Sequence, residues 1–353
     1  MRLKSRLFGS LSAFLLASSV VACQPGLASD QHWGYVNVKG DFIIKPTYLN
    51  AGNFRDGLAP VRVKVEKDGN SDERWGFINK QGEMAIEAKF DEVLEFQNGL
   101  APARLPDGKW GYIDKAGAFV IEPQFDRADC FSDGLAAASD GSNWGFIDRQ
   151  GHWVIKPQYQ IACRFSGERA AVLHNDGTGM LSLSVRDDIY TAHGGHWNYI
   201  DKSGKVVIDS LFDGSGIFGD GLAPAAVGAN QGVAVPDKWG FVNKSGMLIV
   251  KPQFAAVHAP SEGMAAVQTG QWKKIGQGFK TWMPGKWGYI NTKGKQVVKS
   301  QFDGADPFSE GLAGVQVDGK WGYIDKTGKI VIEPKYKYNG AFHEELAPVC
   351  VTQ

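Results

Sequence analysis

"DGKWGYIDKTGKIVIEPKY", residues 318–336, is written twice more with small changes: as "DGKWGYIDKAGAFVIEPQF" at 107–125 and "MPGKWGYINTKGKQVVKSQF" at 283–302. Its parts have separate local readings. "KWGYID" alternates side chains as a short strand does. "DKTGK" is a hairpin turn, with Gly328 in a left-handed conformation. "KIVIEP" is the returning strand, and Pro334 marks a strand end or edge because proline cannot donate to a ladder. Gly322, beside Trp321, lets an aromatic ring or another backbone pack close to the strand.

The same sentence recurs along the whole chain. Its anchor tryptophans are Trp33, Trp75, Trp110, Trp144, Trp197, Trp239, Trp287 and Trp321, each followed by Gly except Trp197, which precedes Asn198. Seven residues after each comes a glycine: Gly40, Gly82, Gly117, Gly151, Gly204, Gly246, Gly294 and Gly328. An aromatic follows in every copy, from Tyr48 to Tyr336, and then an "F-x-x-G-L-A" signature whose alanines run from Ala59 to Ala347. Copies two, five and seven lack the proline. Eight copies fill residues 33–353, and the reading of each is a three-stranded meander.

"DGKWGYIDKTGKIVIEPKY" together with "FSEGLAGVQV" resembles the bacterial WG repeat, also called the KWG repeat, over all eight copies. That resemblance implies an all-β scaffold. It names no reaction, because the family is widespread, often secreted and mostly without a defined activity.

One meander cannot bury both faces, so neighbouring copies must share a core. A closed propeller-like ring and an open β-solenoid both do this. Copies of 33–35 residues are short for four-stranded blades, which take about 40–45. Yet the chain begins its repeats at a Trp-Gly strand and ends on "ELAPVCV". Joining those two strands would remove two exposed edges. The ring is therefore preferred over the open array.

The first thirty residues stand apart. Arg2, Lys4 and Arg6 precede the apolar run "LFGSLSAFLLASSVVA", too short for a comfortable membrane span. The run ends "VVAC", which resembles a bacterial lipobox. Residues 1–22 are then a lipoprotein signal peptide, Cys23 the lipidated residue, and 23–32 a short tether. The competing reading is a plain secreted protein cleaved after Ala28. Gln24 in place of an aspartate points to the outer membrane, by resemblance to enterobacterial sorting rules. Cleavage before Cys23 removes three bases and no acid, leaving 35 basic and 38 acidic residues, net −3. With a whole-chain net charge of zero, composition offers no electrostatic case for nucleic acid.

Departures from the period are where function is sought. Four insertions lie between the "LA-x-V" strand and the next Trp-Gly strand: Lys64 to Arg74, His174 to His196, Ala229 to Asp237 and Thr269 to Lys286. They occupy one equivalent turn, so they are expected on one rim, where insertions often mark a binding face. Loop drift on a tolerant surface is the plainer alternative. The last holds Trp272, Lys273, Lys274, Phe279, Lys280 and Trp282. Aromatics beside cations suit sugar rings or acidic groups; they also suit a hairpin, "WKKIGQGFKTW", with aromatics paired across strands. His193 and His196 are weak candidates to ligate a metal with one carboxylate, although Gly194 and Gly195 make the segment a turn and no helix-borne metalloenzyme spacing is present. Cys130 and Cys163 sit at nearly equivalent places in adjacent copies, so a disulfide between them is one expectation and two buried thiols the other.

No nucleophile elbow, phosphate-binding glycine loop or paired catalytic thiol occurs. Asp114, Asp148, Asp201 and Asp325 recur because turns favour them. The expectation is an envelope-bound binding scaffold with no cofactor, engaging a protein or glycan and held to the membrane by its lipid. The alternative is a glycan-active hydrolase with carboxylates assembled across repeats.

Overall fold

The computed structural model describes residues 31–67, 69–174, 182–186, 189–193, 196–212, 214–227, 238–275 and 279–352. Each hairpin turn forms for a local reason. In the last copy, Asp325 Oδ1 accepts the backbone N–H of Thr327 (2.9 Å) and of Lys329 (3.1 Å). Gly328 adopts φ 87°, a region open to glycine. Asp114, Asp148 and Asp201 hold their turns in the same way. These carboxylates are turn staples. Hydrogen bonds from the turn's own backbone pull Asp148 below the usual carboxylate range, and in Asp201 and Asp325 the largest contribution comes from the hydroxyls of Ser203 and Thr327.

The glycine beside the tryptophan faces backbone, and at Gly111 the Phe119 ring as well. A Cβ on Gly34 would lie 2.6 Å from Ile44 O and 2.7 Å from Pro46 N. There the returning strand bulges: Trp33 pairs with Tyr48 and Tyr35 with Ile44, so two steps of one strand oppose four of the other. The proline is not what makes the bulge. Copies two and seven lack it and keep the same register, Trp75 with Phe90 and Trp287 with Phe302. Copy five lacks both proline and glycine, and there Asn198 takes a direct partner, Asp209.

The sheets have four strands, which corrects the three-stranded expectation. The additional strand is innermost and only two residues long in most blades, as at Tyr338–Asn339. Two residues show no period-2 pattern, so this element has no signature in the sequence. Its brevity also lets a copy of 33–35 residues complete a four-stranded blade. Nor is the blade the repeat: each takes its inner and second strands from one copy and its third and outer strands from the next. Among the described residues there are eight sheets, seven of four strands and one that an added hairpin extends to six, forming an eight-bladed β-propeller with no helix.

We number the blades from the one that starts at Asn50. Blades one to seven are contiguous in sequence. Blade eight joins the two ends of the described chain, with strand order Phe42–Tyr48, Gln31–Val36, Ala347–Thr352, Tyr338–Asn339. Six residue pairs, from Gln31–Thr352 to Val36–Ala347, close the ring.

The core lies between blades. Val36, Phe342 and Val349 of blade eight pack with Tyr323 and Ile332 of blade seven. Trp33 and Tyr35 of blade eight pack with Ala59 and Val61 of blade one. The signature alanines of the second strands are all buried, small enough for adjacent sheets to approach. Six of the eight anchor tryptophans are buried, with Trp110 and Trp321 half-buried. The six form an internal apolar layer, as stacked repeats need.

In a meander, successive turns alternate between ends. The turns between second and third strands therefore share one face of the ring. The Asp-Gly turns between inner and second strands, and the Asp-x-x-Gly hairpins, share the other.

Candidate binding face and axial polar cluster

Two insertions become straight β arms on the first face. In blade one the second and third strands run on as Ala59–Lys67 and Asn70–Ile78, paired out to Lys67 with Asn70. This arm neutralises itself: Arg62 pairs with Glu73 at 3.2 Å, and Arg74 with Asp72. In blade six the arm is Met264–Ile275 against Phe279–Asn291. Its register sets Trp272 opposite Trp282, Lys273 opposite Thr281, Lys274 opposite Lys280 and Ile275 opposite Phe279. The hairpin anticipated from "WKKIGQGFKTW" is therefore present in the backbone.

The His174 to His196 insertion behaves differently. Its strands Ser182–Arg186 and Ile189–His193 form a hairpin that turns inward, onto the innermost strand of blade five, Gly214–Gly216. An unpaired strand edge, carrying only glycine and serine, is open to backbone pairing. This insertion leaves from the same second-to-third-strand turn as the two arms, but it folds back onto an inner strand instead of extending as an arm. His193 ends this hairpin opposite Ser182, and His196 begins the next strand opposite His174. Among the described residues, no cluster of metal-ligating side chains occurs. The segment Ala229 to Asp237 lies outside the described residues, and so does Cys23.

Cys130 and Cys163 are not bridged: both are buried thiols, as is Cys350. Aligning Phe131 with Phe165, which each follow an inner strand, shows why. Cys163 then falls opposite Asp129, and Cys130 opposite Arg164, one position out of step. Successive side chains of an extended segment point opposite ways. Cys163 packs with Ala171, Tyr199 and Phe218, whereas the Cys130 thiol donates to Glu95 O at 3.3 Å. Burial, with the neighbouring Asp129 and Glu95, raises the Cys130 thiol pKa well above its usual range.

Glu95 belongs to a polar cluster near the axis, on the face away from the arms. Its Oε2 accepts Arg55 Nε at 2.9 Å, and its Oε1 accepts Asn53 N at 3.0 Å and Asn53 Nδ2 at 2.8 Å. Arg55 Nη2 reaches His343 Nε2 at 3.0 Å. Arginine has only donors, so Nε2 is the unprotonated nitrogen and Nδ1–H faces Ser309 Oγ, 3.4 Å away. Burial, then the Arg55 charge, pulls His343 down to about 4. The cluster links blades seven, eight, one, two and three in succession.

Carboxylates also reach across blades, as acceptors of backbone N–H. Asp56 accepts from Gly99 (2.6 Å), Asp133 from Glu168 (2.8 Å), Asp220 from Gly263 (2.6 Å) and Glu310 from Glu344 (2.6 Å). Each sits in the left-handed first position of an Asp-Gly-type turn, which aims its side chain at the next blade. The sequence reading missed this ring and the Arg55–Glu95–His343 cluster. The signal available was the run of charged residues flanking the signature phenylalanine, a place the repeat leaves variable.

The family model described as "WG containing repeat" matches residues 33–64, 75–110, 110–144, 144–177, 197–229, 239–271, 287–321 and 321–352. The chain is a WG-repeat protein. No curated protein matches it. Solved structures similar to this WG-repeat chain include the computationally designed Ika8 protein, 10% identical with TM-score 0.45, covering 88% of this chain and 94% of that one. BamB from Moraxella catarrhalis is 10% identical with TM-score 0.40, covering 85% and 93%. The WD40 propeller domain of Doa1 is 12% identical with TM-score 0.31, covering 93% and 95%. At such values these likenesses carry no argument about the function of this WG-repeat protein.

Proposed function

We propose that this protein is a non-catalytic, lipid-anchored scaffold of a bacterial envelope. It presents the arm-bearing face of a closed WG-repeat ring to an envelope protein or glycan. One observation carries the reading. The blades differ in length chiefly at one turn, and two of the longer turns are straight β arms on one face. Rigid rings with variable turns on one face suit docking, since the scaffold is unaffected by what the turns carry. The lipid anchor rests on "VVAC" and Cys23, and outer-membrane sorting on Gln24.

The test is capture from envelope extracts. The full chain is compared with a variant whose arms, 64–74 and 269–286, are both cut to Asp-Gly-Lys turns. The expected result is loss of the captured component with the trimmed ring. Equal capture by both would reject the arm-bearing face. Palmitate labelling is expected for the native chain and not for Cys23→Ala; label retained in that variant would remove the anchor.

A further inference from the structure

We propose that the gap between blades four and five is a docking site for a carboxylate, the side chain of an aspartate or glutamate on a partner protein. The site lies on the face away from the arms. It depends neither on them nor on the lipid anchor.

The ring itself shows what such a gap holds. At most gaps, an acid in a left-handed turn residue accepts a backbone N–H of the next blade. Asp56, Asp133, Asp220 and Glu310 do so, as described above. Glu262 accepts Gly311 N at 3.1 Å, and Glu344 accepts Gly57 N at 3.0 Å. In these last two gaps a lysine from a hairpin of that next blade joins the site. Lys326 Nζ lies 3.1 Å from Glu262 Oε2, and Lys80 Nζ 3.1 Å from Glu344 Oε2. Each of those two carboxylates is held by one N–H and one ammonium, a charge-assisted pair of contacts.

Between blades four and five the sequence supplies the N–H and the ammonium without the acid. Position 167 is glycine, at φ 59°, in the turn conformation that Glu262 and Glu344 adopt at 54°. A Cβ there would meet Lys244 Cε and Nζ, both at 3.0 Å, and then only Phe218 Cβ at 3.9 Å. Lys244 belongs to the blade-five hairpin, as Lys326 does to that of blade seven and Lys80 to that of blade one. Its ammonium therefore stands where the side chain of an acid would run. Among the described residues Lys244 has no ion pair or hydrogen bond, and no carboxylate accepts Gly221 N–H. The nearest acids in sequence are engaged elsewhere or unpaired. Asp220 accepts from Gly263 of blade six. Glu168 forms no ion pair, and its own N–H goes to Asp133. Arg169, in place of the signature leucine, adds a second cation whose Nε is buried without a partner. The gap between blades two and three differs, because Asn98 brings no charge to it.

The surroundings favour a protein over a small anion. Three residues past Lys244 the same hairpin runs into Met247, Leu248 and Ile249, which are 59%, 44% and 39% exposed. Among the described residues no other run of three large apolar side chains is so exposed. A cation beside an apolar edge matches a segment that carries an acid and apolar residues together. A free anion would use the cation alone.

The test measures anisotropy of the labelled peptide PSEGMA, the sequence of residues 260–265 that presents Glu262 to Lys326 and Gly311. The purified protein should bind it at least about tenfold more tightly than PSQGMA, since the charged acceptor is lost. Lys244→Gln should weaken binding about fivefold, with an effect that fades as salt rises. Gly167→Asp should abolish binding, because its own carboxylate takes the place. Aspartate already holds this turn conformation at Asp56, Asp133 and Asp220, so that variant should fold. Its melting temperature should rise by about 1–2 °C. Circular dichroism establishes that each variant is intact. Absence of peptide binding overturns the proposal, as does equal binding of the two peptides or full binding by Gly167→Asp. A folded Gly167→Asp that melts lower would show that the gap has no room for a carboxylate, and overturns it too. Displacement of the peptide by an equal concentration of acetate or inorganic phosphate would make this a small-anion site and overturn the protein partner.

Discussion

At the scale of residues, glycine and histidine make the sharpest claims. The glycine after each tryptophan is required by backbone proximity. A Cβ on Gly76 would meet Ile86 O at 2.6 Å and Ala88 N at 2.8 Å. Neither atom can withdraw without breaking the bulge. Gly76→Ala should therefore cost about 1–3 kcal/mol, as overpacking does, measured by urea denaturation. A variant as stable as the native chain would show that the bulge adjusts freely around a Cβ. His343 makes a pH claim. Its folded pKa is about 4, below the ordinary 6.5, so the unfolded chain binds a proton that the folded chain resists. The contribution is fully present above pH 6.5 and is lost as pH falls from there toward 4. His343→Gln, which keeps an acceptor for Arg55, should flatten the fall in stability over that window; an unchanged slope would show that the acid sensitivity lies elsewhere. Glu95 is buried and receives three donors, so Glu95→Ala should cost about 2–3 kcal/mol. That lies below the range for a fully buried pair because Arg55 is half exposed.

At the scale of elements, the arms and the blades are separable. Beyond Gln268 the backbone ladder of the blade-six arm pairs its two strands with each other, and Lys286 at its base pairs with Asp303. Cutting 269–286 to a turn should leave the melting temperature within about 2 °C of the native value, since surface changes away from buried features alter stability little. A larger drop would mean that the arm packs on the ring. The element that sequence patterning could not supply is the inner strand. Asn50–Ala51 and Tyr338–Asn339 are each two residues, shorter than any window in which alternation can be seen. By contrast the outer strands expose and bury residues in one repeated pattern, as at Phe42–Tyr48 and Ile330–Tyr336. They were legible at every copy. The His174 to His196 insertion also escaped the reading: its hairpin pairs with the inner edge at Gly214–Gly216, and edges exist only once the sheets are built.

At the scale of the whole molecule, stability depends on closure. Trp33, Tyr35 and Val36 are fully buried and join blade eight to blades seven and one. Burying each is worth about 1.5–3 kcal/mol. Deleting Gln31–Val36 should lower the melting temperature by at least about 10 °C. It should also produce self-association, because the long edge of Ala347–Thr352 loses its partner. A monomeric variant with unchanged melting, by calorimetry and light scattering, would mean that the ring does not need its closing strand. The sequence by itself determined the repeat, its turns, the buried tryptophan layer and the preference for a ring, because each follows from local periodicity and from an edge left at either end. Only the tertiary structure decided the four-stranded blade and the separate burial of Cys130 and Cys163. It alone, too, revealed the Arg55–Glu95–His343 cluster and the face that both arms share with Gln31. Those depend on which residues of different copies are brought side by side, and a period along the chain does not contain distances across it.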